Sequence, residues 1–153
     1  MIPADGLTND SVQEPGTTPS ASFYVTGIPV QQGSKNAYVV GKRAVVTDQN
    51  AKTLKPWRAT VAEQAGVAAR ECEQFAGALA VALDFYMPRG ATVKRARPSV
   101  TPDLDKLVRA LFDGITDSKL WKDDALVVEM NVREWYADDR PPGVQVRIDG
   151  LTA

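Results

Sequence analysis

Apolar and polar positions alternate along Leu79, Val81, Leu83 and Phe85, with Ala80, Ala82, Asp84 and Tyr86 between them, and this period of two predicts a strand that Pro88 ends. A shorter alternation around Phe23 and Val25 predicts a strand over Ser22 to Thr26, closed by Gly27-Ile28-Pro29. The β-branched runs Tyr38-Val39-Val40 and Ala44-Val45-Val46 flank Gly41-Lys42 and predict a hairpin. From Ala51 to Phe75 the period changes: Val61, Ala65, Ala68, Ala69 and Cys72 recur near helical spacing, and Pro56 marks a start or a kink in the first turn. A second helix is predicted from Thr101-Pro102, with Thr101 as N-cap and Pro102 at the first helical position. Its apolar stripe is Leu104, Leu107, Val108, Leu111, Phe112 and Ile115, and Gly114 weakens its end. Val127 to Tyr136 and Val144 to Ile148 read as two closing strands joined by the turn Asp138 to Gly143. Strands and two main helices therefore interleave in an α/β (α+β) pattern, a small mixed sheet too short for a doubly wound fold.

The first 21 residues stand outside this pattern. Pro3, Gly6, Pro15, Gly16 and Pro19 occur there with almost no large apolar residues, so 1–21 is expected to be a flexible tail and 22–153 a single domain. A 44% hydrophobic and 24% charged composition is that of a globular protein in water. No apolar run approaches the roughly 20 residues that span a bilayer, and the N-terminal stretch lacks the basic and apolar regions of a secretory signal. The expectation is a cytoplasmic protein with no membrane partner. Cys72, the only cysteine, has no partner for a disulfide and no histidine to activate it, which makes it a small helix-packing residue.

Charge is unevenly distributed. The net charge of −1 is divided into −3 over residues 1–30, +6 over 31–109 and −4 over 110–153, so the middle of the chain is the part able to face phosphates. Lys94, Arg95 and Arg97 crowd one loop of it, directly before the acidic stretch Pro102-Asp103-Leu104-Asp105. A second acidic pair, Asp123-Asp124, follows Trp121 one helix later.

The chain contains no histidine, which excludes a Ser-His-Asp triad, a His-Cys pair and His-ligated zinc. Carboxylate oxygens remain, and they select Mg²⁺, Mn²⁺ or Ca²⁺ over softer metals. Asp103 and Asp105 also suit a helix N-terminus, where the dipole stabilises a negative charge by about 0.3–1 kcal/mol. A solvated turn accounts for Asp123-Asp124 as well as a metal does. Arg109 stands four residues from both Asp105 and Asp113, the spacing of a surface ion-pair row. Asp84 is either a further metal ligand or a partly exposed strand acid.

The segments Pro102-Asp103-Leu104-Asp105-Lys106-Leu107-Val108-Arg109-Ala110-Leu111-Phe112-Asp113 and Trp121-Lys122-Asp123-Asp124-Ala125-Leu126-Val127-Val128 resemble the core of the RusA family of Holliday junction resolvases. Pro29 to Lys35 and Leu54 to Trp57 look like its phage members. The resemblance implies a homodimeric, Mg²⁺-dependent endonuclease, with Mn²⁺ as an alternative cofactor, that nicks paired strands at four-way junctions. It carries the catalytic and metal-binding acids onto Asp103, Asp105 and Asp124, with Asp123 and Asp84 as additional candidates. The family's functional lysine aligns with Arg109, and Lys106 stands where some members have Asn. Arg109 keeps the charge and can grip a phosphate, but it cannot give up its proton, and Lys106 or Arg109 is expected to share in stabilising the transition state. Lys35, Lys94, Arg95 and Arg97 are expected to hold the DNA backbone. Two other readings use the same residues: a DNA-binding module that does not cut, and a metal-dependent phosphohydrolase of small molecules, which leaves the basic loop without a role.

Overall fold

The computed structural model describes residues 18–33, 35–48 and 51–152. Strand β1 is Ser20–Thr26, and a hairpin of β2, Lys35–Val40, and β3, Arg43–Asp48, follows it. Helix α1 is Ala51–Ala69, β4 is Leu79–Met87 and α2 is Leu104–Ser118. A 3-10 turn, Asp124–Leu126, leads into β5, Val127–Tyr136, and β6 is Gly143–Gly150. The main sheet has the order β1-β6-β4-β5, and the hairpin forms its own two-stranded sheet. Strand β5 runs parallel to β4, while β6 is antiparallel to both β4 and β1. The architecture is the expected α+β mixed sheet with two helices.

Alternation decides which side of the sheet the helices cover. In β4, Leu79, Val81, Leu83, Phe85 and Met87 are buried, and each residue between them is half-exposed. Register places Val144, Val146 and Ile148 of β6 on that same buried side. Leu54, Trp57, Val61 and Ala65 of α1 and Leu107, Leu111 and Ile115 of α2 complete one core with them. The stretch from Leu79 to Phe85 thus acts through period two, and α2 through its three-to-four spacing.

Several expectations change. The turn from Asp138 to Gly143 joins β5 to β6, but these strands do not pair, because β4 lies between them. Parallel pairing of β4 with β5 needs a crossover, and α2 supplies it. Helix α1 stops at Ala69, so Cys72 falls just beyond it, with its thiol 3.4 Å from the Ala68 carbonyl oxygen. Pro56 sits inside α1, past its first turn. At the second helix the N-cap is Asp103 rather than Thr101, and the Thr101–Pro102 bond is cis. Both Thr and Asp suit an N-cap; Asp103 takes it because its carbonyl accepts from the Lys106 and Leu107 N–H groups. Gly114 does more than weaken α2. A Cβ there would stand 2.6 Å from the Val61 side chain and 3.1 Å from the Arg58 carbonyl oxygen, so the glycine allows α1 and α2 to touch. Of the expected tail, residues 1–17 lie outside the described residues, and Ser20 and Ala21 already belong to β1.

Candidate active site

The two acidic segments meet because Trp121 is buried against α2. Its indole packs edge-on to Phe112 at 5.0 Å, its N–H donates to Thr116 Oγ1 at 2.7 Å, and the Lys122 N–H donates to the Phe75 carbonyl oxygen. The chain leaving Trp121 then turns at Asp123, whose carboxylate accepts from the Ala125 N–H at 2.9 Å, and presents Asp124. A cavity of about 580 Å³ is lined by Asp105, Arg109 and Asp113 of α2, Asp124, Met130 of β5 and Gln32. Asp105 and Asp124, separated by a whole helix in sequence, therefore share one hollow. Burial raises the Asp124 pKa first, and Asp123 and Asp113 raise it further. Carboxylates gathered so that one resists ionisation form an oxygen-rich, negatively charged place suited to a hard cation.

Asp103 is beside this hollow rather than in its wall. It caps α2 with no side-chain hydrogen bond of its own to the helix, and its carboxylate is 3.6 Å from Lys106 Nζ. Arg109 is exposed, 4.0 Å from Asp105. Asp113, expected to pair with Arg109, instead faces Arg58 at 3.8 Å and lines the cavity. Among the described residues no three acidic side chains close on one point as a ready metal cage. Mg²⁺ seldom needs one: it keeps several waters and is commonly held by one or two carboxylates plus substrate phosphate. The residues present fit that mode.

Asp84 is elsewhere. It points from the sheet side opposite the helices, accepting from Arg133 Nε at 2.9 Å and Trp135 Nε1 at 2.8 Å, so it is not brought to Asp105 and Asp124. The side chain of Lys35 lies outside the described residues, although its backbone starts β2. Lys94 and Arg95 are exposed on the loop after β4. Arg97 is engaged: its Nε donates to the Glu134 carbonyl oxygen at 2.8 Å, and its guanidinium lies 3.7 Å above the Trp135 ring.

Three contributors carried no signal of their own in the sequence. Gln32 donates its backbone N–H to the Lys106 carbonyl oxygen and lines the acidic cavity, while its side-chain oxygen is buried out of reach of solvent with no hydrogen-bond donor among the described residues. Its neighbour Gln31 accepts from the Asp103 N–H at 2.8 Å. Arg89 organises the basic loop by donating to the carbonyl oxygens of Val93 and Arg95 while gripping Asp138 at 2.8 Å and stacking on Tyr136. A polar pair after Pro29 and a lone arginine after Pro88 carry no periodic signal, since only tertiary contacts define their work.

Comparison with known proteins bears on what this hollow does. The profile of a family described as "Endodeoxyribonuclease RusA" matches residues 27–149. A protein of Bacillus subtilis (strain 168), "Uncharacterized protein YqaN", is 26% identical over 144 residues, covering 86% of this chain and 96% of the relative. Because the family match runs from the Gln31-Gln32 segment through both acidic clusters to the inner strand β6, the chain belongs to the RusA family of endodeoxyribonucleases, which act on Holliday junctions.

Proposed function

We propose that the protein is a Mg²⁺-dependent, structure-selective endonuclease that resolves four-way DNA junctions as a homodimer, in the cytoplasm of a bacterial or phage-infected cell. The observation that carries this reading is the shared cavity of Asp105 and Asp124. These two carboxylates would hold the cation, with Mn²⁺ as a substitute. When bound, the cation supplies a lowered water pKa and neutralises phosphate charge.

The chain's own residues do the rest. Asp103 adds negative charge at the edge of the site and is held by Lys106. Arg109, exposed over Asp105, can grip a non-bridging phosphate oxygen and stabilise charge as it develops. Asp113 and Asp123 maintain the local field that favours a cation. Lys35, Lys94 and Arg95 would hold the sugar-phosphate backbone, with Arg97 fastening their loop to β5. Two strands must be cut at symmetric positions, and the described residues of one chain bring Asp105 and Asp124 together in one cavity, so a two-fold dimer would supply a second.

Incubation with labelled four-way junction and linear duplex, each with Mg²⁺ or with chelator, tests the proposal. Cleavage of the junction alone, and only with metal, is expected. Binding without cleavage under every metal condition would leave a junction-binding module instead.

A further inference from the structure

Asp84 takes no part in the acidic cavity, and its contacts lead to the basic loop instead. It stands beside Arg133 in the pairing of β4 with β5 and reaches diagonally to Trp135, accepting from Arg133 Nε at 2.9 Å and from Trp135 Nε1 at 2.8 Å. Its side chain is 19% exposed against 54% for Arg133, which makes the aspartate the fixed member of the group. With its N–H so held, the indole keeps one ring face toward Arg97, whose guanidinium lies 3.7 Å above it. Arg97 also donates from Nε to the Glu134 carbonyl oxygen at 2.8 Å. Asp84, Trp135 and Arg97 therefore form one chain of contacts from the sheet to the loop.

Arg89 fastens the other end of that loop. It pairs with Asp138 through two nitrogens at 2.8 and 3.0 Å, lies 4.2 Å over the Tyr136 ring, and donates to the carbonyl oxygens of Val93 and Arg95. Trp135 and Tyr136 are adjacent in β5 and face opposite sides of the sheet, so the loop straddles the end of this strand. Lys94 and Arg95 are exposed between the two fastenings. The start of the same strand follows Asp124 through the 3-10 turn, and its Met130 lines the acidic cavity. From Val127 to Trp135 the strand rises roughly 26 Å, the length of about eight nucleotide steps along one DNA strand. One strand thus joins the acids at its start to the phosphate-holding loop at its end.

Resting on the nuclease reading above, we propose that Asp84 and Trp135 are positioning residues, which hold the loop of Lys94 and Arg95 at a set distance from Asp105 and Asp124 so that DNA gripped by the loop brings one particular phosphate to the cation. Neither side chain touches the reacting atoms. A loop freed from Trp135 keeps its charges and still attracts DNA, but the gripped backbone then slides relative to the acids. Binding strength survives, while the choice of phosphate and the rate of cutting do not. What Asp84 supplies is an acceptor oxygen for the indole N–H.

The test uses the full chain, Mg²⁺ and an end-labelled four-way junction whose nicks are mapped to the nucleotide. Wild type is expected to nick a narrow set of adjacent phosphates. Trp135→Phe keeps a ring in the strand and removes the N–H, and Asp84→Ala removes the acceptor. Both should lower kcat about ten- to a hundredfold, the cost of misplacing a reactant by about an ångström, and spread the nicks over neighbouring phosphates. The salt slope of junction binding should stay at its wild-type value, because Lys94 and Arg95 are unchanged. Asp84→Asn keeps an acceptor oxygen and should restore most of the rate and of the nick pattern. Trypsin reads the fastening itself: cleavage after Lys94 and Arg95 should quicken roughly tenfold or more in the Ala and Phe variants. If Asp84→Ala fails to fold, Trp135→Phe decides the matter. Scattered nicks in wild type, loop cleavage by trypsin at the wild-type rate in the variants, or a freed loop with nick positions and kcat unchanged overturns the proposal. A wild-type protein that cuts no DNA overturns the nuclease reading and with it the role in cutting, while the trypsin rates still report whether Asp84 and Trp135 hold the loop.

Discussion

The surroundings of Asp124 disfavour its ionised form, since burial first, and then Asp123 and Asp113, raise its pKa. A carboxyl with a raised folded pKa carries a stability penalty that appears as pH rises through the unfolded value and is complete above the folded one. Asp124→Asn should therefore melt at a higher temperature than wild type at pH 7 without metal, with the difference fading below about pH 4. The same substitution should lower junction cleavage by about three orders of magnitude, the scale of losing a cation that contributes several kcal/mol to the transition state. Asp105→Asn should match it in cleavage. A variant melting below wild type at pH 7 would mean that the carboxylate is stabilised by its surroundings. Glu134 obeys the same sign, so its part of the stability is greatest below 4.5 and is lost as pH rises through about 7. The acids of this site were legible in the sequence as two clusters. Asp113 was not, because the same spacing that suggested pairing with Arg109 also let it face the cavity and Arg58.

Among the elements, the packing of α1 on α2 depends on Gly114. Adding a methyl group there improves helix propensity by about 1 kcal/mol, but it meets Val61 at 2.6 Å and a backbone carbonyl. Overpacking of this kind costs roughly 1–3 kcal/mol, so Gly114→Ala should give net destabilisation in urea titration, and Val61→Ala in the same chain should recover part of it. An unchanged midpoint would show that the helices separate freely. Elements with strong periodicity, β4 and α2 above all, could be read directly, because alternation and the three-to-four stripe follow from one buried side each. Strand order could not. The short turn before Gly143 looks like a hairpin, yet β6 instead pairs with β1 and β4, whose apolar residues it meets across the core. Gly143 is part of that choice: a Cβ there would lie 2.2 Å from the Val25 carbonyl oxygen.

For the whole molecule, the basic surface and the oligomer can be tested separately. Lys94→Gln with Arg95→Gln should reduce the salt dependence of junction binding by roughly 0.9 units of log–log slope for every phosphate that these side chains neutralise, with little change in melting temperature. Arg97→Ala should differ, because it also releases the loop from Trp135 and the Glu134 carbonyl. If all three substitutions behave alike, the loop is not fastened there. Sedimentation should report a dimer at micromolar concentration. In the proposed dimer we place the contact on the hairpin, which is rich in Val and Ala, and Val39→Arg, at a residue 69% exposed, should shift the species toward the 16.5 kDa monomer and abolish paired nicking.

Strand β6 lies inside the sheet, between β1 and β4, yet it follows every acid of the site in the chain. A ribosome that has delivered Asp124 must still add the residues up to Gly150 before β1 can join β4, a delay of about 1–5 s at ordinary elongation rates. During that interval the nascent polypeptide has α2 and Trp121 but not the sheet on which they pack. Completion of the inner strand is thus the last step in assembling the sheet beneath the acids.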